Sequence, residues 1–202
     1  MSNDIHPTKL AILQAAVSVF GQKGFNGATT KEIAQVAGIA EGTIFRHFPS
    51  KPDILYGVVD SFIPLIGVDT LKKTIAECQD LDPEEALQHI IRNRFETIHE
   101  SKDLIRIILT EIQYDVKLRE IYIERVYKPI RQLISDFFAE RVKTGHFRDI
   151  NPGFPTILIF SVILFAIGNQ LLLDNEPESN FLQTDALTDI LLNGIRRSES
   201  DA

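Results

Sequence analysis

The chain has little sulfur chemistry to offer: one cysteine, Cys78, one methionine and no tryptophan among 202 residues. A single cysteine cannot close an intrachain disulfide. That excludes a disulfide-stapled scaffold and suits a reducing compartment. Cys78 has no CxxC partner, and His6, His47, His89, His99 and His146 show no i, i+4 pairing. No metal-ligand spacing or nucleophile-base pair emerges, so neither a metal, a cofactor nor an enzymatic activity is expected. A phosphate-cradling glycine loop is also missing, because Gly21-Gln22-Lys23-Gly24 reads as a helix end. Runs of alternating Val, Ile and Thr between turns are absent, as are repeats and low-complexity tracts, so no strands are expected. No basic stretch precedes an apolar run near Met1, so no secretory signal is read and a cytoplasmic location is expected. The most apolar segment, Phe154 to Leu173, is interrupted by Pro155, Thr156, Ser161, Asn169 and Gln170. A bilayer-spanning helix needs about 20 predominantly apolar residues. This segment reads instead as a helix buried in a core or between subunits.

Thirteen phenylalanines are present, enough to fill a large core or line an apolar cavity. The net charge of −7 argues against general polyanion binding, yet the charge is uneven. Residues 1–51 carry the basic Lys9, Lys23, Lys31, Arg46 and Lys51 against the acidic Asp4, Glu32 and Glu41, which leaves a slightly positive head on an acidic body.

The pattern is helical throughout. Thr8 is placed to cap a first helix carrying Leu13, Ala16, Val17 and Phe20, stopped at Lys23-Gly24. Thr29-Thr30-Lys31-Glu32 is a capping box that opens a short helix ended by Gly38. After the Ile39-Ala40 turn, Glu41 to Phe48 forms another short helix, broken by Pro49. Ser50-Lys51-Pro52-Asp53 and Asp82-Pro83-Glu84-Glu85 are further starts, and Ser101 is placed to cap a helix from Lys102. A long amphipathic run from Leu118 to Phe138 contains Pro129, where a kink is expected. A loop over 145–153, the apolar helix 155–173 and a last helix of about 185–197 complete the chain.

Two helices of about eight residues joined by a Gly-led turn match a helix-turn-helix, in which the first helix braces the phosphate backbone and the second enters the major groove. Ile44 and Phe48 would anchor the second helix, leaving Gly42, Thr43, Arg46 and His47 outward. A helical hairpin with no nucleic-acid role has the same spacing.

Residues Thr29 to Lys51 resemble the tetracycline-repressor (TetR) family signature, T-x-x-x-I-A-x-x-A-G-V-S-x-G-T-L-Y-x-H/Y-F-x-S-K. The upstream family pattern A-x-x-x-F-x-x-x-G-F-x-x-A-T fits Ala16 to Thr29. The resemblance covers roughly residues 8–58. It implies an all-α protein: an N-terminal three-helix DNA-binding domain over 1–51, and a helical ligand-binding and dimerisation domain over 52–202. It also implies a homodimer on a palindromic double-stranded operator, most often a repressor released by a small molecule. By position, Thr30 and Lys31 lie near phosphate, and Gly42, Thr43 and Arg46 face the groove. His47 and Lys51 hold phosphates. Arg46 reads guanine or contacts phosphate. Three residues depart from the pattern. Ala40 replaces the usual Ser or Thr cap, which weakens that cap by about 1 kcal/mol. Phe45 lacks the phosphate-bonding hydroxyl of the common Tyr. Glu41 brings a negative charge to the groove, accepting from a cytosine amino group or repelling.

In the body, Phe62, Ile66, Ile91, Phe95, Leu109, Tyr122, Val126 and Phe165 are candidates to line an apolar effector cavity, with Asn169 as a polar orienter. Any one of the apolar ones reads more readily as core, and Asn169 with Gln170 equally as an interface pair. The phenylalanine- and isoleucine-rich stripes suggest a lipophilic effector, and the acidic body slightly favours a neutral or cationic one. Two other functions remain open: a helical small-molecule-binding protein, and a membrane-associated helical protein without sequence-specific DNA binding.

Overall fold

The computed structural model describes residues 6–172 and 189–193, less the side chains at 65, 66, 163, 166, 167 and 169–172. The described residues form helices and turns and no strand. In order they are α1 (Pro7–Gly27), α2 (Thr30–Ala37), α3 (Glu41–His47), α4 (Lys51–Gly57), α5 (Thr70–Glu77), α6 (Pro83–Glu100), α7 (Lys102–Glu111), α8 (Val116–Tyr122), α9 (Lys128–Lys143) and α10 (Gly153–Leu172). Three π-helical turns, Val58–Phe62, Leu65–Asp69 and Ile123–Tyr127, sit between helices. Residues 189–193 are helical, and the rest of the expected last helix lies outside the described residues.

Several helix ends differ from expectation. His6, not Thr8, caps α1: its Nδ1 accepts from the Thr8 amide at 3.3 Å, and Pro7 takes the first helical position, where a missing N–H costs nothing. Ser101 occupies the cap of α7 but makes no capping bond. The long run expected to kink at Pro129 instead divides into α8, the Ile123–Tyr127 turn and α9. Pro129 lacks the N–H that an uninterrupted helix would need there. The wider π turn absorbs the break and leaves the proline in the first turn of α9.

The chain packs as two units, each drawn from separated segments. Among the described residues, the first comprises 6–66 and 101–127, the second 67–100, 128–172 and 189–193. In the first, α1 buries Ile12, Leu13, Ala16, Val19 and Phe20 against α2, α4 and α7. Gly57 of α4 is required by close approach: a Cβ there would stand 2.6 Å from the Phe48 ring and 3.1 Å from Leu13. The second unit closes around Leu71, Leu87, Ile90, Ile134 and Phe138. Phe138 lies between Phe137, nearly perpendicular at 5.5 Å, and Phe147 at 5.8 Å, which is where part of the phenylalanine content goes. Cys78 is fully buried in this core, and burial pushes its thiol pKa up, away from reactivity.

By length and composition the helical run Lys51–Glu77 is apolar enough to cross a bilayer. Its side chains argue for a core role instead. Ile54, Leu55, Val58, Val59 and Leu71 are buried, and Asp60 pairs with Arg125 at 2.8 Å.

Polar contacts fasten α4 to α8 in the first unit. The Tyr56 hydroxyl donates to Asp115 Oδ2 at 2.6 Å, while Asp115 Oδ1 caps α8 through the Leu118 amide at 3.0 Å. Lys117 lies over the Tyr56 ring at 4.3 Å and 3.9 Å from Asp53. Partial burial raises the Asp115 pKa, but the Tyr56 bond, the backbone N–H groups and Lys117 outweigh it and leave it lowered. The same bond pushes Tyr56 up to about 12. A depressed carboxylate contributes stability that is complete above its unfolded pKa of about 3.9 and is lost as pH falls through the lower folded value. Tyr56→Phe is therefore expected to cost about 1 kcal/mol at pH 7. The difference should narrow on acidification below about pH 4, once Asp115 protonates. Urea unfolding at both pH values measures this, and an equal gap at both contradicts it.

Candidate functional site

The helix-turn-helix is built from local bonds that its sequence specifies. Thr29 Oγ1 accepts from the Glu32 amide at 3.2 Å, and Glu32 Oε2 accepts from the Thr29 amide at 3.0 Å, completing the capping box of α2. Gly38 ends α2 at φ 69°, a conformation that a Cβ disfavours, and its peptide and the next donate back to Gln35 and Ala34 carbonyls at 3.2 and 3.0 Å. Ala40 then leads into α3 without a side-chain cap, as its residue type dictates. At seven residues α3 is far below the ~12–15 needed for an isolated helix. Packing forms it: Ile44 is fully buried and Phe48 nearly so.

A bond between the helices then sets their relative placement. The Thr30 hydroxyl donates to Glu41 Oε1 at 2.7 Å, tying the first turn of α2 to the first turn of α3. Glu41 thus has a partner inside the motif. Glu32 is neutralised within the unit by Lys23, whose bond, followed by those from Thr29, lowers its pKa. Both carboxylates of the motif are engaged internally. Lys31 and Arg46 are exposed and make no ion pair among the described residues. Arg46 makes only a long contact with Thr43 Oγ1, 3.4 Å. Gly42 is exposed, Thr43 and His47 are half-buried, and Phe45 stands 48% exposed with no hydroxyl. The exposed groups are donors, cations and an aromatic face, a set that suits phosphate and base edges.

Lys51 occupies a different position from the rest. Its ammonium donates to the Phe25 and Ala28 carbonyls at 2.8 and 2.9 Å, reaches the Asn26 carbonyl at 3.5 Å and lies 4.6 Å from the Phe25 ring centre. Three carbonyls meet the three N–H bonds of an ammonium, so this lysine caps the end of α1 and closes the loop to α4. His6 was not picked out by sequence pattern. The fold sets its ring 5.5 Å from that of His47, across 41 positions that no local pattern spans.

The body candidates are placed as follows. Phe62, Leu109 and Tyr122 are half-buried and Val126 is buried, all in the first unit. Burial raises the Tyr122 pKa. In the second unit Ile91 is buried and Phe95 half-buried, both in or against the apolar core. Phe165 is 56% exposed on α10. The side chains of Ile66 and Asn169 lie outside the described set.

Because its ammonium is satisfied by backbone, Lys51→Met is expected to destabilise the first unit by about 1 kcal/mol, the cost of leaving part-buried carbonyls without donors. Thermal unfolding of the variant without DNA measures this, and an unchanged midpoint contradicts it.

Residues 12–56 match the family model described as bacterial regulatory proteins, tetR family. The chain is 32% identical over 161 residues to the HTH-type transcriptional regulator YvkB of Bacillus subtilis, itself uncharacterized, covering 79% of this chain and 80% of that protein. Among solved structures, the fatty acid degradation regulator FadR from Bacillus halodurans superposes with a TM-score of 0.80 at 25% identity, over 97% of this chain and all of that one. FadR from Bacillus subtilis in complex with stearoyl-CoA does so with a TM-score of 0.76 at 22% identity, over 93% and 99%. With the capping box, the Gly38 turn and the exposed α3 surface in place, the chain belongs to the TetR family of DNA-binding transcriptional regulators.

Proposed function

We propose that this chain represses transcription by binding a near-palindromic operator as a homodimer, and that a small lipophilic effector held in the helical body releases it. The observation that carries the reading is how the charges of the helix-turn-helix are held: Glu32 is paired with Lys23 and Glu41 is held by the Thr30 hydroxyl, while Lys31 and Arg46 stay exposed. On a chain of net charge −7 this leaves one surface able to meet phosphate. Residues 1–51 act as the DNA-binding part and 52–202 as the effector and dimer part, working in the cytoplasm and without catalysis. Lys31, Gly42, Thr43, Phe45, Arg46 and His47 face the duplex. Thr30 and Glu41 set the position of α3 through their shared bond, and Lys51 acts through the scaffold.

Dimerisation has support from α10. Phe154, Ile157, Leu158, Leu164 and Phe165 are exposed at helical spacing and together make one apolar face. An unpartnered stripe of this kind is costly in water and suits a helical interface between copies. Two solved neighbours are named for fatty acid control, and one holds stearoyl-CoA, which supports a lipophilic effector.

Selection of duplexes from a random pool by the full chain, followed by titration on base-substituted versions, tests the reading. Wild type is expected to enrich a two-fold-related sequence and to lose affinity steeply with salt. Arg46→Ala should lose roughly tenfold or more at particular base pairs, because a bidentate base contact discriminates by ~1–3 kcal/mol. Equal loss at every position would remove Arg46 as a base reader. Failure to enrich any sequence overturns the function itself.

A further inference from the structure

Arg94, on α6 in the second unit, is 5% exposed and is the one buried charged side chain among the described residues. Its Nη1 donates to the Gly67 carbonyl at 2.7 Å and its Nη2 to the neighbouring Asn93 side chain. Its Nε has no acceptor. Burial alone lowers its pKa, to about 10, and no acidic side chain offsets that effect. Arg141 is the informative contrast. Its Nε also lacks an acceptor, but its guanidinium lies 3.6 Å from the centre of the Phe137 ring, is half-exposed and feels the Glu140 carboxylate. Arg94 has neither ring nor carboxylate. A buried cation without a counter-charge is strongly unfavourable and is ordinarily paired.

We propose that Arg94 anchors the carboxylate of a lipophilic acid, and that this acid is the effector class of the regulator. The effector role rests on the ligand-responsive reading above, whereas the binding site stands on Arg94 alone. The chemistry of the unsatisfied edge selects the anion, and neighbouring side chains must move to admit it, because the Nε has no surface open to solvent. With Nη1 directed at Gly67 and Nη2 at Asn93, the Nε hydrogen remains unpaired, a charge-assisted donor that a carboxylate oxygen can accept. One cation neutralises one carboxylate, whereas a phosphate dianion would leave a buried negative charge. The surroundings select the rest of the molecule. Ile90 and Ile91 flank Arg94 on α6, and Phe95 and Ile130 pack against the same core. The Nε is closed to water, so a small hydrated anion gains nothing by entering. An acid with an apolar body offsets its own desolvation by burying that body. The acidic surface of the chain points towards a neutral or cationic ligand only at long range. Solvated charges are screened beyond about 8–10 Å, whereas Arg94 acts at contact.

Calorimetric titration of the full chain with dodecanoate, dodecan-1-ol and dodecanoyl-CoA tests the assignment. Wild type is expected to bind the acid roughly tenfold or more tighter than the alcohol, the worth of a charge-assisted bond. Arg94→Met should erase that preference while leaving alcohol binding unchanged. If Arg94→Met does not fold, Arg94→Lys carries the test: it loses the Nε donor, and its acid affinity falls while its alcohol affinity holds. Equal binding of acid and alcohol to wild type overturns the proposal, as does no binding of the acid, or a preference that survives in the folded variant. Tighter binding of dodecanoyl-CoA, whose acyl end is a neutral thioester, with no dependence on Arg94 overturns it as well. A parallel measurement on a selected duplex separates the two readings. Acid binding through Arg94 without release of DNA keeps the site and removes the effector role. Failure to select any duplex removes the regulatory reading and leaves the acid site standing.

Discussion

The ammonium of Lys51 holds together the part of the molecule on which DNA recognition depends. It gathers carbonyls from the end of α1 and the loop before α2, while its own backbone begins α4. Three helices are thereby fixed at one point. α3 has too few residues to exist by itself, so it takes its position from that frame through Ile44, Phe48 and the Thr30–Glu41 bond. Removing the frame would lose the recognition surface even with every exposed residue intact. This gives a physical reason for a lysine at a position where a phosphate contact alone would tolerate several donors.

The same unit extends beyond the helix-turn-helix. α7 packs on α1, and α8 is fastened to α4 through Tyr56, Asp115 and Lys117. The two π-helical turns that follow α4 and α8, Val58–Phe62 and Ile123–Tyr127, are joined by the Asp60–Arg125 pair. π turns carry weaker backbone bonding than α-helix and recur at functional positions. Here they occur where the helix leaving the recognition element meets a neighbour it is ion-paired to. A ligand that prefers one arrangement of these turns can shift the DNA-binding equilibrium only by its difference in affinity for the two arrangements.

What the sequence disclosed follows the range of each interaction. The capping box at Thr29, the αL glycine at 38, the Ser50 cap and the missing cap at Ala40 are local, and each was readable from residue type and spacing. The all-helical class followed from periodicity in the same way. Partnerships across distance were not readable. Lys51 looked like a phosphate ligand because its carbonyls lie more than twenty residues upstream and carry no residue signature. The bond that Glu41 accepts has no local signature, because Thr30 is eleven positions away on another helix. Arg94 is one of many arginines until its burial is known. Helix ends were misjudged where two signals competed, as at His6-Pro7-Thr8, and where a proline was absorbed by a π turn instead of a kink.

DNA recognition requires that α3 present an outward surface to a duplex from a rigid support. Backbone amide hydrogen exchange on the full chain, with and without a selected duplex, examines this most directly. Slowed exchange is expected over residues 41–47 on adding the duplex, with the amides of α1 and α4 already protected in its absence. Unchanged exchange over 41–47, with protection arising elsewhere in the chain, would contradict it.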